Sequence, residues 1–304
     1  MQPHLAADVA VTTPAGRKFA DELSDGLSVE ALNAPVSQAG RGPAFTNSAD
    51  VDLASGQSDL STSVGKALAL LNAFDSPAGV LGVTALADAA GIPKSTAFRL
   101  LVALQVSGFV ERRGTGYCVG RRMFELGNLV ADCRPRSLRD VALPYLSDLY
   151  ALTHQTVHLA TLDGTDVLYL EKLFGHNKTR VPSHVGRRFP AHCTAIGKAI
   201  LAHSDETTVN RVIQRGLRPR TPYTIVAPDL FRGVLERSRT SGVAYDREEG
   251  TIGVACVGAP ILAGDRVVAA ISVSGAPPTY DPMRFASAVR KAAEGISAKL
   301  NFRA

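Results

Sequence analysis

The stretch Gly91-Ile92-Pro93-Lys94-Ser95-Thr96-Ala97-Phe98-Arg99-Leu100-Leu101 decides how the first folded part of this chain is built. Gly91 supplies the left-handed position that stops one helix. Ile92 fills the turn. Pro93 suits the first position of the next helix, where its missing N–H has no partner to lose. The helix so opened, about Pro93 to Ser107, buries Ala97, Leu100, Leu101 and Leu104. Lys94, Ser95, Thr96, Phe98 and Arg99 are left on the outer side of its first turns, where a recognition helix meets DNA. Hydroxyls there bond phosphates, and an Arg guanidinium takes a guanine edge with two bonds. An ordinary amphipathic helix with a solvated face shows the same pattern, so the flanking elements must separate the two readings.

They favour DNA. Upstream, a helix is expected over Thr62 to Phe74, with Val64, Leu68 and Leu71 at helical spacing and Ala67 and Leu70 beside them. Asp75 to Gly79 is turn chemistry. Thr84 is the expected cap of a short second helix, Ala85 to Ala90. Downstream, Gly108 closes the third helix. Phe109 to Arg113 and Tyr117 to Val119 form a hairpin around Gly114-Thr115-Gly116. Arg112 and Arg113 near its tip are placed to reach phosphate or the minor groove. Helix, helix, turn, helix and two-stranded ribbon over Ser63 to Arg122 spell a winged helix-turn-helix. The Gly114-x-Gly116 pair lacks the third glycine and the following helix of a dinucleotide-binding loop.

Charge is uneven along the 304 residues. Residues 1–60 hold 3 basic and 8 acidic side chains, residues 61–136 hold 9 and 5, and residues 137–304 hold 21 and 15. A net +4 over the DNA-binding part is compatible with a polyanion partner without requiring one. No run reaches the roughly 18 apolar residues of a membrane span. Cys118, Cys133, Cys193 and Cys256 are widely spaced, which argues against a zinc framework or disulfide scaffold. A reducing cytoplasm is the expected location, with no metal and no cofactor.

Four segments follow. Residues 1–60, rich in Ala, Gly, Ser, Asp and Pro without a sustained apolar period, read as a disordered acidic tail. Residues 61–120 are the winged helix-turn-helix domain. Residues 121–136 hold a linker helix, Arg121 to Cys133, with Met123, Leu126 and Val130 at helical spacing. Residues 137–304 change to a mixed pattern. A helix is expected over Leu138 to Leu152. A hairpin of Thr156 to Leu162 and Val167 to Leu173 turns at Asp163-Gly164. Helices start at Thr194 and span Asp229 to Ser241. A second hairpin, Val254 to Leu262 with Val267 to Ser274, turns over Ala263 to Arg266. A last helix covers Asp281 to Leu300. Antiparallel strands with helices at one side predict an α+β sensor domain.

At this point the residues carry a family pattern. The chain resembles the IclR family of bacterial transcriptional regulators over about Ser61 to Lys299. The N-terminal match is Ser63-Val64-x-Lys66-Ala67-Leu68, Gly91 to Thr96, and Arg99-Leu100-Leu101. The C-terminal match is Pro190-x-His192-x-Thr194-Ala195-x-Gly197-Lys198-Ala199, Gly242-x-x-x-Asp246-x-x-Glu249, Gly253-x-x-Cys256-x-x-x-Pro260 and Ile271 to Gly275. The resemblance implies a winged helix-turn-helix joined by a helix to a GAF-like effector-binding domain. It implies dimers and tetramers on double-stranded operator DNA, with a small metabolite controlling operator affinity. The long tail departs from the family pattern.

The resemblance places the effector site at Thr194, Ala195, Asp246, Cys256, Ser272 and Ser274. The chemistry is coherent. Ser272 and Ser274 stand two apart on a strand, so their hydroxyls share a face. The helix start at Thr194-Ala195 offers N–H groups to an anion. The expected effector is an anionic or hydroxylated metabolite, of organic acid or polyol class, and the expected output is repression. Plainer readings stay open. The serines could satisfy a strand edge, Asp246 could cap its loop, and Cys256 could be inert core. His192 reads as a structural hydrogen-bonder and Lys198 as a solvated or packing residue. Two other functions stand beside the regulator: an architectural DNA-binding protein with an inert second domain, and a thiol enzyme fused to the DNA module. In the enzyme, His192 or His158 would activate Cys193 or Cys256. With no catalytic geometry legible, the chain is expected not to be an enzyme.

Overall fold

A computed structural model describes residues 59–74, 79–130, 137–176, 181–277 and 279–301. The expected tail lies outside them except for its last two residues.

Helix α1 is Ser63–Asn72, capped by the Thr62 hydroxyl, which accepts from Gly65 N at 2.9 Å. Its inward face is Gly65 and Leu70, whereas Val64 is 70% and Leu68 50% exposed. The expected stripe is therefore rotated. The cause is Gly65: the preceding chain crosses it so closely that a Cβ would lie 1.7 Å from the Asp59 carbonyl oxygen. Helix α2, Val83–Ala90, begins after Gly82 with no side-chain cap, so Thr84 lies inside it and does not cap it. Gly91 ends it at φ 66°, in the left-handed region. Helix α3 is Lys94–Val106. Pro93 stands just before it as the cap residue, its carbonyl accepting from Ala97 N at 2.9 Å. Ile92 is buried with Leu70, Leu86, Ala97, Leu101, Val110 and Tyr117, so the turn is nailed into the core that its helices enclose. Strands β1 (Val110–Arg113) and β2 (Gly116–Val119) pair antiparallel, and Leu81 adds two hydrogen bonds to Tyr117 at 2.9 and 2.8 Å. Helix α4, Arg121–Gly127, buries none of its residues and is shorter than the expected linker; residues 131–136, including Cys133, lie outside the described part.

The second half begins with α5, Leu138–Thr153. Six strands follow in one antiparallel sheet: β3 (Thr156–Asp163), β4 (Asp166–Leu173), β5 (Arg188–Pro190), β6 (Ala244–Arg247), β7 (Ala255–Ala263) and β8 (Arg266–Gly275). Their spatial order is β5-β4-β3-β8-β7-β6. The β3–β4 turn is Gly164-Thr165, one residue later than expected, because Asp163 pairs with Asp166. Between β5 and β6 lie α6 (Ala195–Leu201), α7 (Glu206–Arg215) and α8 (Pro228–Ser241). Helix α9, Ala286–Asn301, closes the chain after a 3-10 turn at Pro282–Phe285, where a single helix was expected.

Helices cover both faces of the sheet, which corrects the expectation of one. Val157, Leu159, Val257, Ile271 and Val273 pack on one face against Val141, Leu146 and Leu149 of α5 and Val289, Ala293 and Ile296 of α9. Ala160, Ala244 and Ala270 on the other face meet Ile196, Ala199 and Ile200 of α6 and Phe231 and Leu235 of α8. Small sheet residues on that side let α6 come close. Gly258 takes this furthest: a Cβ there would lie 3.0 Å from the Ala195 carbonyl carbon and 3.1 Å from Ile196 N.

Candidate functional site

The surface expected to meet DNA is built as its sequence dictates. Burying Ala97 and Leu101 of α3 turns Lys94, Ser95, Phe98 and Arg99 outward, with Thr96 half-buried and Phe98 50% exposed. Arg112 and Arg113 are exposed on the hairpin beside Gly114, which sits at φ 57° and lets the strands turn in two residues. None of these four cations meets an acidic partner among the described residues. They are free to neutralise phosphates.

In the second half, strand register gathers the expected effector residues. Directly paired residues of an antiparallel sheet share a face. Ser274, Cys256 and Asp246 pair in one row across β8, β7 and β6. His158, Ser272 and Gly258 pair in the next row across β3, β8 and β7. Thr194, whose hydroxyl accepts from Gly197 N at 2.9 Å, and Ala195 are set above these rows by the close approach of α6 over Gly258. Thr194, Ala195, Asp246, Cys256, Ser272 and Ser274 all line one cavity. Because β8 lies between β3 and β7, the two serines do not satisfy a strand edge.

Sequence reasoning missed three of the walls. His158 was weighed only as a catalytic base. It is buried, with Nε2 2.7 Å from Ser183 Oγ and Nδ1 3.5 Å from both Ser272 Oγ and Ser274 Oγ. Tyr169 also lines the cavity. Glu171 pairs with Leu159 and Tyr169 with Ala160, so Leu170 is an extra residue on β4. That bulge swings Tyr169 onto the cavity side, where alternation from Glu171 would have denied it. Val181, Pro182 and Ser183 form a third wall. Lys172 holds it in place, donating from Nζ to Val181 O at 2.9 Å and Ser183 O at 2.6 Å, with the Phe174 ring 4.7 Å away. The space open to a water molecule's centre is about 30 Å³, enough for roughly two waters.

Burial sets the charge of the cavity. It pushes the His158 imidazole down to about 3, helped by the Lys172 charge, so His158 is neutral. It pushes Asp246 up to about 7, against the pull of Lys198 and of the Glu249 N–H, which donates to Asp246 Oδ1 at 2.8 Å. Asp246 thus caps its loop and lines the cavity at once. Its Oδ2 accepts from the Cys256 thiol at 3.7 Å. Lys198 is not solvated: it is buried and ion-paired with Glu249. His192 is the structural hydrogen-bonder expected, its Nε2 3.1 Å from Arg218 O.

A thiol enzyme finds no support. Burial raises Cys193 to about 12 and Cys256 well above its ordinary value, so neither is a thiolate near neutrality. Cys193 directs its thiol to Pro190 O at 3.5 Å and not to an imidazole.

Comparison with known proteins decides the family. Residues 63–114 match the IclR helix-turn-helix domain, and residues 133–298 match the bacterial transcriptional regulator IclR C-terminal domain. This chain belongs to the IclR family of bacterial transcriptional regulators. It is 34% identical to the HTH-type transcriptional regulator XynR of Escherichia coli, over 70% of this chain and 85% of that protein. It is 32% identical to the HTH-type transcriptional repressor AllR of Salmonella typhi, over 78% and 89%. An IclR homologue of Microbacterium hydrocarbonoxydans, crystallised in complex with 4-hydroxybenzoate, shares the fold with a TM-score of 0.72 at 24% identity, over 79% of this chain and all of that one. The IclR relatives are named as regulators and repressors, and this chain is a regulator, not an enzyme.

Proposed function

We propose that this IclR-family regulator binds a pseudopalindromic operator as a dimer or tetramer. Lys94, Ser95, Thr96, Phe98 and Arg99 enter the major groove, with Arg112 and Arg113 on the flanking backbone. A small organic acid or polyol binds among Thr194, Ala195, Asp246, Cys256, Ser272 and Ser274 in a GAF-like C-terminal domain and changes operator affinity. The sign is repression, as in the relative named a repressor. A cytoplasmic location goes with this role.

The observation that carries the effector reading is the cavity itself. Strand register and a single glycine bring six residues from four elements around one cavity rich in hydroxyls. A regulator with an inert second domain has no use for an unfilled space between its sheet and α6, since a void forfeits packing contacts. The Microbacterium neighbour, alike in fold, is complexed with a small aromatic acid, which falls within the class proposed. A ligand shifts DNA binding only if the DNA-competent and incompetent arrangements hold it with different affinity.

The test is operator binding by the full chain, titrated with small acids and polyols, for the wild type and for Ser272→Ala with Ser274→Ala. The double variant should bind the operator as before and respond to the effector with about 0.5–1.5 kcal/mol less affinity per lost bond. An unchanged response would remove these serines from the site.

A further inference from the structure

We infer that Arg220 is a selectivity residue of this cavity: its guanidinium, held behind the Phe189 ring, makes the site prefer an organic acid to the matching alcohol. The inference rests on the reading of the cavity as the effector site and chooses between the two effector classes proposed for it.

Phe189 of β5 is one wall of the cavity. Gly250, another wall residue, makes room for its ring: a Cβ there would lie 3.0 Å from Phe189 Cε1. The Arg220 guanidinium lies over the ring, 4.6 Å from its centre. A cation in that position is held by the negative face of the ring. Arg220 is not itself a wall residue, so the ring stands between its charge and the cavity. One aromatic layer does not screen a charge as water does.

The loop that carries Arg220 is fixed at several points. Arg220 N and Thr221 N both donate to Thr224 Oγ1 at 3.0 Å. Thr221 Oγ1 donates to Glu248 O at 2.7 Å, and Thr224 Oγ1 to Glu249 O at 2.6 Å. The His192 ring is 3.1 Å from Arg218 O. These bonds tie the loop to the turn that follows Asp246 and to the segment ahead of α6. The backbone under Arg220 is therefore set before any effector arrives.

The charge of Arg220 is also uncompensated. Its guanidinium makes no ion pair or hydrogen bond among the described residues. Lys198, by contrast, is paired with Glu249, and Lys172 donates to two backbone carbonyls. The Arg220 charge is felt at the Cys193 thiol, one residue before the wall residue Thr194, where it opposes the rise caused by burial and Asp246. A carboxylate lying against the inner side of the Phe189 ring would be about 8 Å from the guanidinium, about one Debye length at physiological salt. An alcohol of the same shape gains nothing from that charge. Arg220 is exposed, so solvent and salt hold the advantage of the acid to about fivefold in affinity.

The experiment is isothermal titration calorimetry on the full chain at about 20 and about 200 mM salt. The probes are 4-hydroxybenzoate against 4-hydroxybenzyl alcohol, and glycolate against ethylene glycol. The first acid is the one bound by the Microbacterium neighbour. Amide hydrogen exchange of the cavity strands, read by mass spectrometry, reports whether each probe sits there. Arg220→Gln keeps a flat polar group over the ring and removes the charge. It should lower affinity for the acids about fivefold at low salt and leave the alcohols within about twofold, and the difference should shrink at high salt. Arg220→Lys, which restores the charge, should restore the acids. If Arg220→Gln binds the acids as the wild type does, the charge does not reach the cavity and the inference is overturned. Equal losses for acids and alcohols, with no recovery in Arg220→Lys, would overturn it too, because Arg220 would then only support the ring. If no probe protects the cavity strands, the effector-site reading falls, and the inference with it.

Discussion

Lys198 of α6 and Glu249, 51 residues later, form an ion pair whose side chains are 1% and 7% exposed. It ties the helix above the cavity to the turn that follows Asp246. Glu249 Oε2 has no hydrogen-bond partner among the described residues, so the pair is only partly compensated. Glu249→Ala should strand a buried ammonium and cost about 3–5 kcal/mol in urea unfolding. Lys198→Met with Glu249→Leu should recover most of that loss, because two apolar side chains leave no charge uncompensated. A single variant within about 1 kcal/mol of wild type would contradict this account of the pair.

Gly258→Ala tests how α6 is positioned. The new methyl would meet backbone atoms of Ala195 and Ile196 at 3.0–3.1 Å, and backbone cannot swing aside as a side-chain tip can. The expected loss is about 1–3 kcal/mol of stability. Effector response should fall, because Thr194 and Ala195 move off the serine rows. Operator affinity without effector should hold. A variant with wild-type stability and full effector response would show that α6 does not need this contact.

Stability should depend on pH through two buried groups of opposite sign. His158 falls to about 3 in the folded chain from an ordinary 6.5, so the unfolded chain binds more protons between those values. Its contribution is present above pH 6.5 and lost as pH falls toward 3. Asp246 rises to about 7 from 3.8, so here the folded chain binds more protons. Its contribution is present below pH 3.8 and lost as pH rises to 7. Urea unfolding across pH 3–8 should show a flatter acid limb for His158→Gln and a flatter limb toward neutrality for Asp246→Asn. Parallel curves for wild type and both variants would remove these two groups as the source.

What the sequence disclosed depends on what kind of signal each feature leaves. Gly91 and Pro93 punctuate the helix-turn-helix because few other residues suit those backbone positions, and the structure places turn and recognition helix within a residue of the expectation. The α1 stripe was misassigned because apolar spacing alone fitted Val64 and Leu68 as well as Leu70, while the deciding contact at Gly65 leaves no periodic trace. Helix α7 went unread, since in Glu206–Arg215 only Val209 and Val212 are buried and the rest is polar. The six residues expected at the effector site were singled out by motif spacing, and they line one cavity. Their neighbours were not: Tyr169 reaches the cavity through a one-residue bulge, and His158 through pairing with a strand more than a hundred residues away.

The central claim is that occupancy of a DNA site is this protein's output, and salt tests it most directly. Fluorescence anisotropy of the full chain on its own promoter region, against a scrambled duplex, should be run from 50 to about 200 mM salt. The account predicts a steep salt dependence and a clear preference for the promoter. Arg99→Ala should lose roughly 1–3 kcal/mol on the promoter alone and relax specificity at one position. Arg112→Ala should weaken both duplexes alike and flatten the slope. Equal, salt-insensitive binding to the two duplexes, unchanged by either substitution, would contradict it.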